Sequence, residues 1–237
     1  ALSQHRSLIL VDYVGVGLST EGPAAGVATT VRQSAADVLS FLDLIGEREI
    51  DVLGFSLGGM VAQLVALNAD PARLRVRKLI LAGTTPSMGE GVLRSKNADV
   101  FDVAGAKDVG IETFKTLFFP PSREGLAATE QWWARIHERS EVTSGEKPAT
   151  WLSQGYADGA QGLKAQSQQL AAWMTVEGTM GEEGSFDRLS GLDIPVLVVN
   201  GNKLPNAQLI IYANSSHGGI FQYVSDFAQH VVSFLSF

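Results

Sequence analysis

The sequence lacks cysteine, and none of its apolar runs approaches the roughly 20 residues that a membrane-spanning helix needs. The absence of cysteine excludes disulfide bonds, thiolate nucleophiles and cysteine-ligated metal sites. The His, Asp and Glu residues also show no clustered spacing typical of a metal site. The first apolar run, residues 8–11, is too short for a signal sequence and ends at Asp12. We therefore expect a soluble protein without metal or cofactor. The lack of cysteine does not fix the compartment, and the location that we expect is cytoplasmic.

Positive charge is scarce, because 18 Lys and Arg residues face 25 Asp and Glu residues and leave a net charge of −7. This balance argues against binding to nucleic acid or to an acidic membrane surface. With 237 residues, of which 45% are hydrophobic, the chain is long enough to bury a sizeable core. The length suits one α/β domain with an inserted cap.

Short runs rich in Val, Ile and Leu predict buried strands at residues 8–11, 51–55, 78–82, 196–200 and 208–212. Helical spacing of apolar residues lies between or after most of these runs. It covers residues 30–45, the stretch after Gly59, and the C-terminal stretch with Phe227, Val231 and Phe234. Strands that alternate with helices predict a mostly parallel sheet with helices on both faces.

Residues 86–190 break this alternation, and they contain all 4 tryptophans. Helical segments are predicted around residues 108–117, 125–138 and 163–173, and a flexible linker at residues 178–184. We interpret this part as a helical lid inserted over one end of the sheet. The alternative is a helical layer that packs for stability alone. The predicted division is therefore a core at 1–85, a lid at 86–190 and a second core part at 191–237.

Gly54-Phe55-Ser56-Leu57-Gly58 lies between a predicted strand and a predicted helix. A G-x-S-x-G sequence in that position is typical of a nucleophile elbow, which holds a serine hydroxyl clear of the sheet. The turn predicts a strained backbone at Ser56, and strand and helix so close that a Cβ at Gly54 or Gly58 would clash. Ser56 is the candidate nucleophile; the alternative is a tight turn without chemistry.

A serine nucleophile needs a base, and His217 is the best candidate. It lies in the small, polar loop Ser215-Ser216-His217-Gly218-Gly219, just after a predicted strand. The alternative is a histidine with a purely structural place. The backbone N–H of Leu57, at the start of the elbow helix, is predicted to donate a hydrogen bond to the oxyanion. The remaining histidines, which fit less well, are His5, His137 and His230.

Taken together, these motifs resemble the α/β-hydrolase superfamily, in its branch of serine esterases and cofactor-free haloperoxidases. The matching segments follow the order of that family: residues 11–19 (VDYVGVGLS), 55–59, 78–83, 193–201 and 216–218. The resemblance implies a serine hydrolase that cleaves small, fairly hydrophobic carboxylic esters or related acyl compounds through an acyl-enzyme on Ser56. Haloperoxidase-type enzymes and C–C bond hydrolases of the family use the same apparatus.

Two parts of the family pattern have no counterpart in this sequence. One is the acid expected shortly after Gly201, with the helix that connects it to the last strand; Glu90, Asp99 and Asp102 are alternative acids that no spacing favours. The other is a set of strands before Leu8, one of which carries the second oxyanion donor. A link of a few residues is also too short for a parallel crossover. Our hypothesis is a fragment or an internally gapped record of a larger hydrolase.

These gaps keep a second function open. The chain would then be a catalytically impaired relative that binds a small apolar ligand or a protein partner. A purely structural α/β domain is the third alternative, but it gives no reason for a strained turn around a serine.

Overall fold

The computed structural model describes residues 2–14, 19, 30–92, 110–136, 161–199 and 207–236. Its strands are β1 (Glu49–Phe55), β2 (Arg75–Ala82), β3 (Val196–Val199) and β4 (Ala207–Leu209). Its helices are α1 (Val31–Leu44), α2 (Leu57–Asn68), α3 (Ile111–Phe118), α4 (Arg123–Ile136), α5 (Gln161–Trp173), α6 (Gly219–Gln222) and α7 (Val224–Ser236). Short 3₁₀ turns occur at Leu2–Gln4, Glu177–Thr179, Gly181–Glu183 and Leu189–Gly191.

Within the described residues, the strands form one sheet in the order β1-β2-β3-β4, and every neighbouring pair is parallel. Alternate residues of β2 and β3 face opposite layers of helix. One set packs on α7: Ile80, Ala82, Leu197 and Val199. The other set packs on Ala62 of α2: Leu79, Leu81, Val196 and Val198. The predicted α/β class, with a mostly parallel sheet and helices on both faces, is therefore confirmed.

Helix α1 covers the outer side of α2. It begins where predicted, because the Thr30 hydroxyl accepts a hydrogen bond of 3.1 Å from the Gln33 N–H and so satisfies one of the free amides of the first turn. Its Val31 and Ala35 are buried against Met60 and Leu64 of α2. The helix that carries the elbow is thereby held between the sheet and a second helical layer.

The strand predicted at residues 8–11 is wrong. These residues join no ladder, and their side chains are exposed, with 89% of Leu10 accessible. An apolar run forms a strand only where its backbone can hydrogen-bond to a neighbouring strand. Without such a partner, the N–H and C=O groups of an extended segment form no ladder. Among the described residues the sheet begins at β1, and residues 8–11 pair with no strand of it.

The prediction that a few residues cannot connect β3 to β4 in parallel is also wrong. The two strands are paired in parallel, with Val196 opposite Ala207. Both are short, so the chain must travel back only about 10 Å from Val199 to the level of Ala207, at roughly 3.3 Å per residue. Residues 200–206 lie outside the described residues, and a link of that length can extend over roughly 25 Å.

Residues 86–190 contribute α3, α4 and α5, in agreement with the helical segments predicted there. Their two ends meet at a pair of buried serines. The Ser87 N–H donates to the Ser185 hydroxyl at 3.1 Å, and the Ser185 N–H donates to the Ser87 hydroxyl at 2.9 Å. The stretch predicted as a flexible linker forms two 3₁₀ turns instead. The division into core and lid stays a prediction.

The buried side chain of Gln63 connects the elbow helix to this pair of serines. Its amide nitrogen donates to the carbonyl oxygens of Gly59 (3.1 Å) and Thr85 (3.0 Å), and its amide oxygen accepts from the Ser185 hydroxyl (2.7 Å). Both polar atoms of the Gln63 amide group are therefore hydrogen-bonded, and the bonds to Thr85 and Ser185 tie α2 to both ends of the inserted residues.

We expect Gln63→Met to destabilise the protein by about 2–3 kcal/mol. The methionine fills the same space but leaves the Ser185 hydroxyl and the Gly59 and Thr85 carbonyls with fewer partners, and each buried polar group without a partner costs about 1–3 kcal/mol. Urea unfolding followed by circular dichroism measures the loss. Gln33→Met is the matched control, since Gln33 is an exposed residue of α1. Equal unfolding midpoints for the two variants would contradict the prediction.

Candidate active site

Ser56 lies at the sharp turn between β1 and α2. Its φ of 53° and ψ of −123° fall in a region that residues with a side chain rarely adopt, so the strained backbone predicted there is present. The turn is held in place because the Ser56 N–H donates to the carbonyl oxygen of Ala82, at the end of β2, over 3.0 Å. The serine side chain therefore stands at the carboxyl end of the sheet.

The glycines of this turn differ in how much room a side chain would have, and only Gly54 is as crowded as the sequence predicts. A Cβ on Gly54 would lie 2.3 Å from the carbonyl oxygen of Gly58, so strand and helix do require glycine there. A Cβ on Gly58 would lie 3.5 Å from the Tyr13 hydroxyl, an ordinary contact, so the clash predicted at Gly58 is wrong. The next residue, Gly59, is the crowded one, because its Cβ would lie 2.6 Å from the Thr84 side chain.

The structure brings His217 to Ser56. The Nε2 atom of His217 is 3.0 Å from the Ser56 hydroxyl oxygen, although 161 positions separate them in the chain. The histidine comes from the loop between β4 and α6, which is anchored where the Gly218 N–H donates to the Phe118 carbonyl oxygen at 2.7 Å. This is the distance at which a base can take the proton of an attacking hydroxyl.

Two aromatic rings enclose the imidazole of His217. The ring centroid of Phe55 is 5.0 Å from that of His217, and the centroid of Phe118 is 5.4 Å away in a T-shaped arrangement. Burial lowers the pKa of His217, because the charged form loses its hydration. The ring is therefore neutral at neutral pH, which is the form that accepts a proton.

No carboxylate among the described residues forms a hydrogen bond or an ion pair with His217. Of the alternative acids, Glu90 has an exposed side chain, whereas Asp99 and Asp102 lie outside the described residues, as do residues 200–206. A cavity of about 180 Å³ borders the histidine instead. Its lining comes from the ends of β2 and β3 and from the chain between β4 and α6: Gly83, Val199, Ile210, Ile211, Tyr212, Ser215, Ser216, Gly219 and Ile220.

The candidate oxyanion donor, the Leu57 N–H, is the first amide of α2. Helix geometry leaves the first amides without a carbonyl one turn earlier in the helix, so this N–H is free to bind a negatively charged oxygen. The Tyr13 hydroxyl, which sequence reasoning missed, lies beside Gly58 in the same turn. Burial raises the pKa of Tyr13 to about 12, so the phenol stays protonated and can donate a hydrogen bond.

An aromatic cluster borders the pair of Ser56 and His217. Phe221 of α6 stacks on Phe118 with centroids 5.5 Å apart, and Trp132 of α4 lies 5.4 Å from Phe221. The aromatic residues of the predicted lid are visible in the sequence, but the contact of Phe118 with His217 is not. Helices α3 and α4 thus form an apolar wall beside the reactive atoms.

The other histidines lie apart from this pair. His5 is exposed near the beginning of the chain, and His230 of α7 lies with its Nδ1 3.1 Å from the Tyr212 hydroxyl. His137 is outside the described residues. In the described part of the chain, no three acidic or histidine side chains gather as metal ligands would, and no helix is long and apolar enough to cross a membrane.

Comparison with known proteins agrees with this geometry. Residues 1–221 match the family model described as the alpha/beta hydrolase fold, and the chain belongs to that family. A solved alpha/beta hydrolase fold protein from Chitinophaga pinensis is 28% identical, with a TM-score of 0.72, over 94% of this chain and 77% of that one. The predicted superfamily is confirmed.

Two curated relatives carry more specific names. The non-heme chloroperoxidase CPO-A1 of Kitasatospora aureofaciens is 26% identical over 203 residues, which are 77% of this chain. The 2-hydroxymuconate semialdehyde hydrolase of Pseudomonas putida is 24% identical over 236 residues, 99% of this chain and 78% of that protein. The chain spans only 63% and 64% of the length of two curated relatives that it matches, the chloroperoxidase being one of them.

The two elbow glycines are expected to respond differently to alanine. Gly54→Ala should destabilise the protein by about 2 kcal/mol or more, because the new methyl group meets a backbone carbonyl that cannot move without disturbing the turn. Gly58→Ala should be neutral or stabilise by up to about 1 kcal/mol, since the site has room and alanine favours a helix. Urea unfolding of both variants tests this, and a larger loss for Gly58→Ala would refute it.

Phe118→Leu is expected to shift the acidic limb of the pH profile of kcat/KM to higher pH. The smaller side chain admits water to His217, so its depressed pKa rises towards the ordinary value, and the neutral base is lost earlier as the pH falls. Phe114→Leu is the matched control, because Phe114 packs on Phe118 with centroids 5.0 Å apart but does not enclose the histidine. The two variants would give the same profile if Phe118 only stabilises the fold.

Proposed function

We propose that the protein is a serine hydrolase that cleaves small carboxylic esters or related acyl compounds through an acyl-enzyme on Ser56. The observation that carries this proposal is the distance of 3.0 Å between His217 Nε2 and the Ser56 hydroxyl, at the apex of a strained turn. A nucleophile and a base in hydrogen-bonding contact are the minimum that acyl transfer needs.

In the proposed reaction the Ser56 oxygen attacks the carbonyl carbon of the substrate while His217 Nε2 takes the hydroxyl proton. The negative charge that develops on the carbonyl oxygen is stabilised by the Leu57 N–H. The intermediate collapses, and His217 returns the proton to the leaving alcohol. A water molecule then repeats the sequence on the acyl group, which releases the acid and restores the serine.

The low pKa of His217 suits this role. A base must be neutral before it acts, and burial between Phe55 and Phe118 favours the neutral imidazole. The same wall of rings favours apolar groups on the substrate, since aromatic side chains line most pockets for small hydrophobic molecules. We propose that residues 86–190 act as the lid over this site.

The relatives named as a chloroperoxidase and as a semialdehyde hydrolase widen the range of candidate reactions. Each name describes that protein. For this chain, ester hydrolysis needs only the nucleophile, the base and one oxyanion donor, so it is the reaction that the described side chains support most directly.

The second candidate function is a catalytically impaired relative that binds a small apolar ligand or a protein partner. One observation favours it: no carboxylate of the described residues orients His217. Loss of the acid of a catalytic triad lowers kcat by about four orders of magnitude in a well-studied serine protease. Whether turnover occurs therefore distinguishes the two functions.

The test is hydrolysis of p-nitrophenyl acetate and p-nitrophenyl butyrate by the purified chain. We expect saturable turnover, and we expect Ser56→Ala and His217→Gln each to lower kcat by at least about a thousandfold, because nucleophile and base act as a unit. A fluorophosphonate probe should label the chain at Ser56.

Ser40→Ala is the matched control, because Ser40 lies on the exposed side of α1 and donates only to the Ala36 carbonyl oxygen. Turnover and labelling that persist in Ser56→Ala would disprove the assignment of the nucleophile. A folded chain with neither turnover nor labelling would favour the impaired relative.

A further inference from the structure

In the described part of the chain, two residues other than glycine have a positive φ: Ser56 at 53° and Asn214 at 47°. Ser56 is the candidate nucleophile, and Asn214 lies shortly before His217 in the loop that supplies the candidate base. Asparagine adopts this conformation more readily than most residues with a side chain, yet it is still uncommon and persists where surrounding contacts hold it. The turn at Asn214, like the elbow at Ser56, therefore depends on its neighbours.

The end of the short helix α6 supplies contacts that hold this turn. The Gln222 amide nitrogen donates to the Asn214 carbonyl oxygen at 2.9 Å, and the Tyr223 hydroxyl donates to the Ala213 carbonyl oxygen at 2.6 Å. Gln222 is the last residue of α6, and Tyr223 is the next residue of the chain. Two adjacent side chains thus bind the carbonyl groups of two adjacent loop residues.

These two bonds close the segment that contains His217. They join residues 8 and 10 positions apart, and His217 lies between the joined ends. Ala213 and Asn214 are exposed, so the turn buries little apolar surface of its own and depends on its hydrogen bonds. The helix α6 is anchored, because its Ile220 is buried in the core cluster that β2, β3 and α7 form. The position of the histidine loop thus depends on a helix that is fixed to the sheet.

We propose that Gln222 and Tyr223 are positioning residues for the base, because their bonds hold the turn at Asn214 and so keep His217 Nε2 within reach of the Ser56 hydroxyl. The inference rests on the proposed function, since a positioned base matters only if His217 takes the proton of Ser56. The two side chains act through the backbone of the loop and take no part in the proton transfer. Without them the turn relaxes to more common backbone conformations, and the contact of 3.0 Å is formed less often.

Tyr223→Phe tests the first bond, because it removes only the hydroxyl that binds the Ala213 carbonyl. With p-nitrophenyl acetate we expect kcat to fall by about tenfold or more and KM to change little, since a misplacement of about 1 Å can cost about a hundredfold in rate. Tyr212→Phe is the matched control, and its kcat should fall far less. The two rings stack with centroids 4.9 Å apart, but the Tyr212 hydroxyl faces His230 Nδ1 at 3.1 Å and not a loop carbonyl. Equal kcat values in the two variants would overturn the proposal.

Gln222→Met tests the second bond in the same way, since methionine has a similar size but cannot donate to the Asn214 carbonyl. We expect the same selective loss of kcat. Gln229→Met is its matched control, because Gln229 is an exposed residue of α7. A kcat of Gln222→Met as high as that of Gln229→Met would contradict the positioning role.

Two changes at Asn214 test the conformation of the turn itself. Asn214→Gly should retain far more of kcat than Asn214→Val, because glycine adopts a positive φ without strain and a β-branched residue resists it. The Asn214 side chain is exposed, so neither change removes buried apolar surface. Equal kcat values in these two variants would show that the turn does not place the base.

A further readout does not depend on turnover. Burial lowers the pKa of His217, and a displaced loop exposes the ring to water, so this pKa should rise in Tyr223→Phe and not in Tyr212→Phe. Nuclear magnetic resonance of the chain with ¹⁵N-labelled histidine measures it, with His217→Gln to assign the signal. Equal pKa values in the two variants would overturn the positioning role even in an active esterase. A higher pKa in Tyr223→Phe, in a chain without turnover or fluorophosphonate labelling, would support the placement of His217 by Tyr223 and refute the hydrolase.

Discussion

The close approach of β1 and α2 at Ser56 is the constraint on which the rest of the structure depends. Because only glycine fits at position 54, the chain can reverse within one residue and place the serine at the tip of the turn. The turn is stabilised from both sides, by the Ala82 carbonyl of β2 and by the amide of Gln63 within α2. A serine on a longer loop would have more freedom and would meet His217 less often.

Features that depend on residues close together in the chain can be predicted from the sequence. The apolar runs of the strands, their alternation with helices and the G-x-S-x-G turn predict the sheet class and the strained Ser56, because each of these patterns is local. The pairing of Ser56 with His217 joins residues that are 161 positions apart, so its prediction also depends on the topology of the sheet. It works because parallel strands bring their carboxyl ends to one edge, so loops that follow different strands meet there.

The features that the sequence does not reveal are contacts between distant segments. Residues 8–11 have the composition of a strand, yet a strand also needs a partner edge, which composition does not report. Phe118 encloses His217, and Tyr13 lies beside Gly58, although neither side chain differs from an ordinary core aromatic in its own segment. The order of crowding at Gly58 and Gly59 depends on Thr84, which belongs to another loop.

The reciprocal hydrogen bonds between Ser87 and Ser185 hold together the two ends of the segment that is inserted between β2 and β3. The positions of the strands before and after this segment therefore depend on the contact between its two ends, and not on the number of residues between them. The entropy of closing a flexible loop grows so slowly that each doubling of length costs about 0.6 kcal/mol. Such a segment can be lengthened, shortened or replaced while the sheet and the reactive pair keep their geometry.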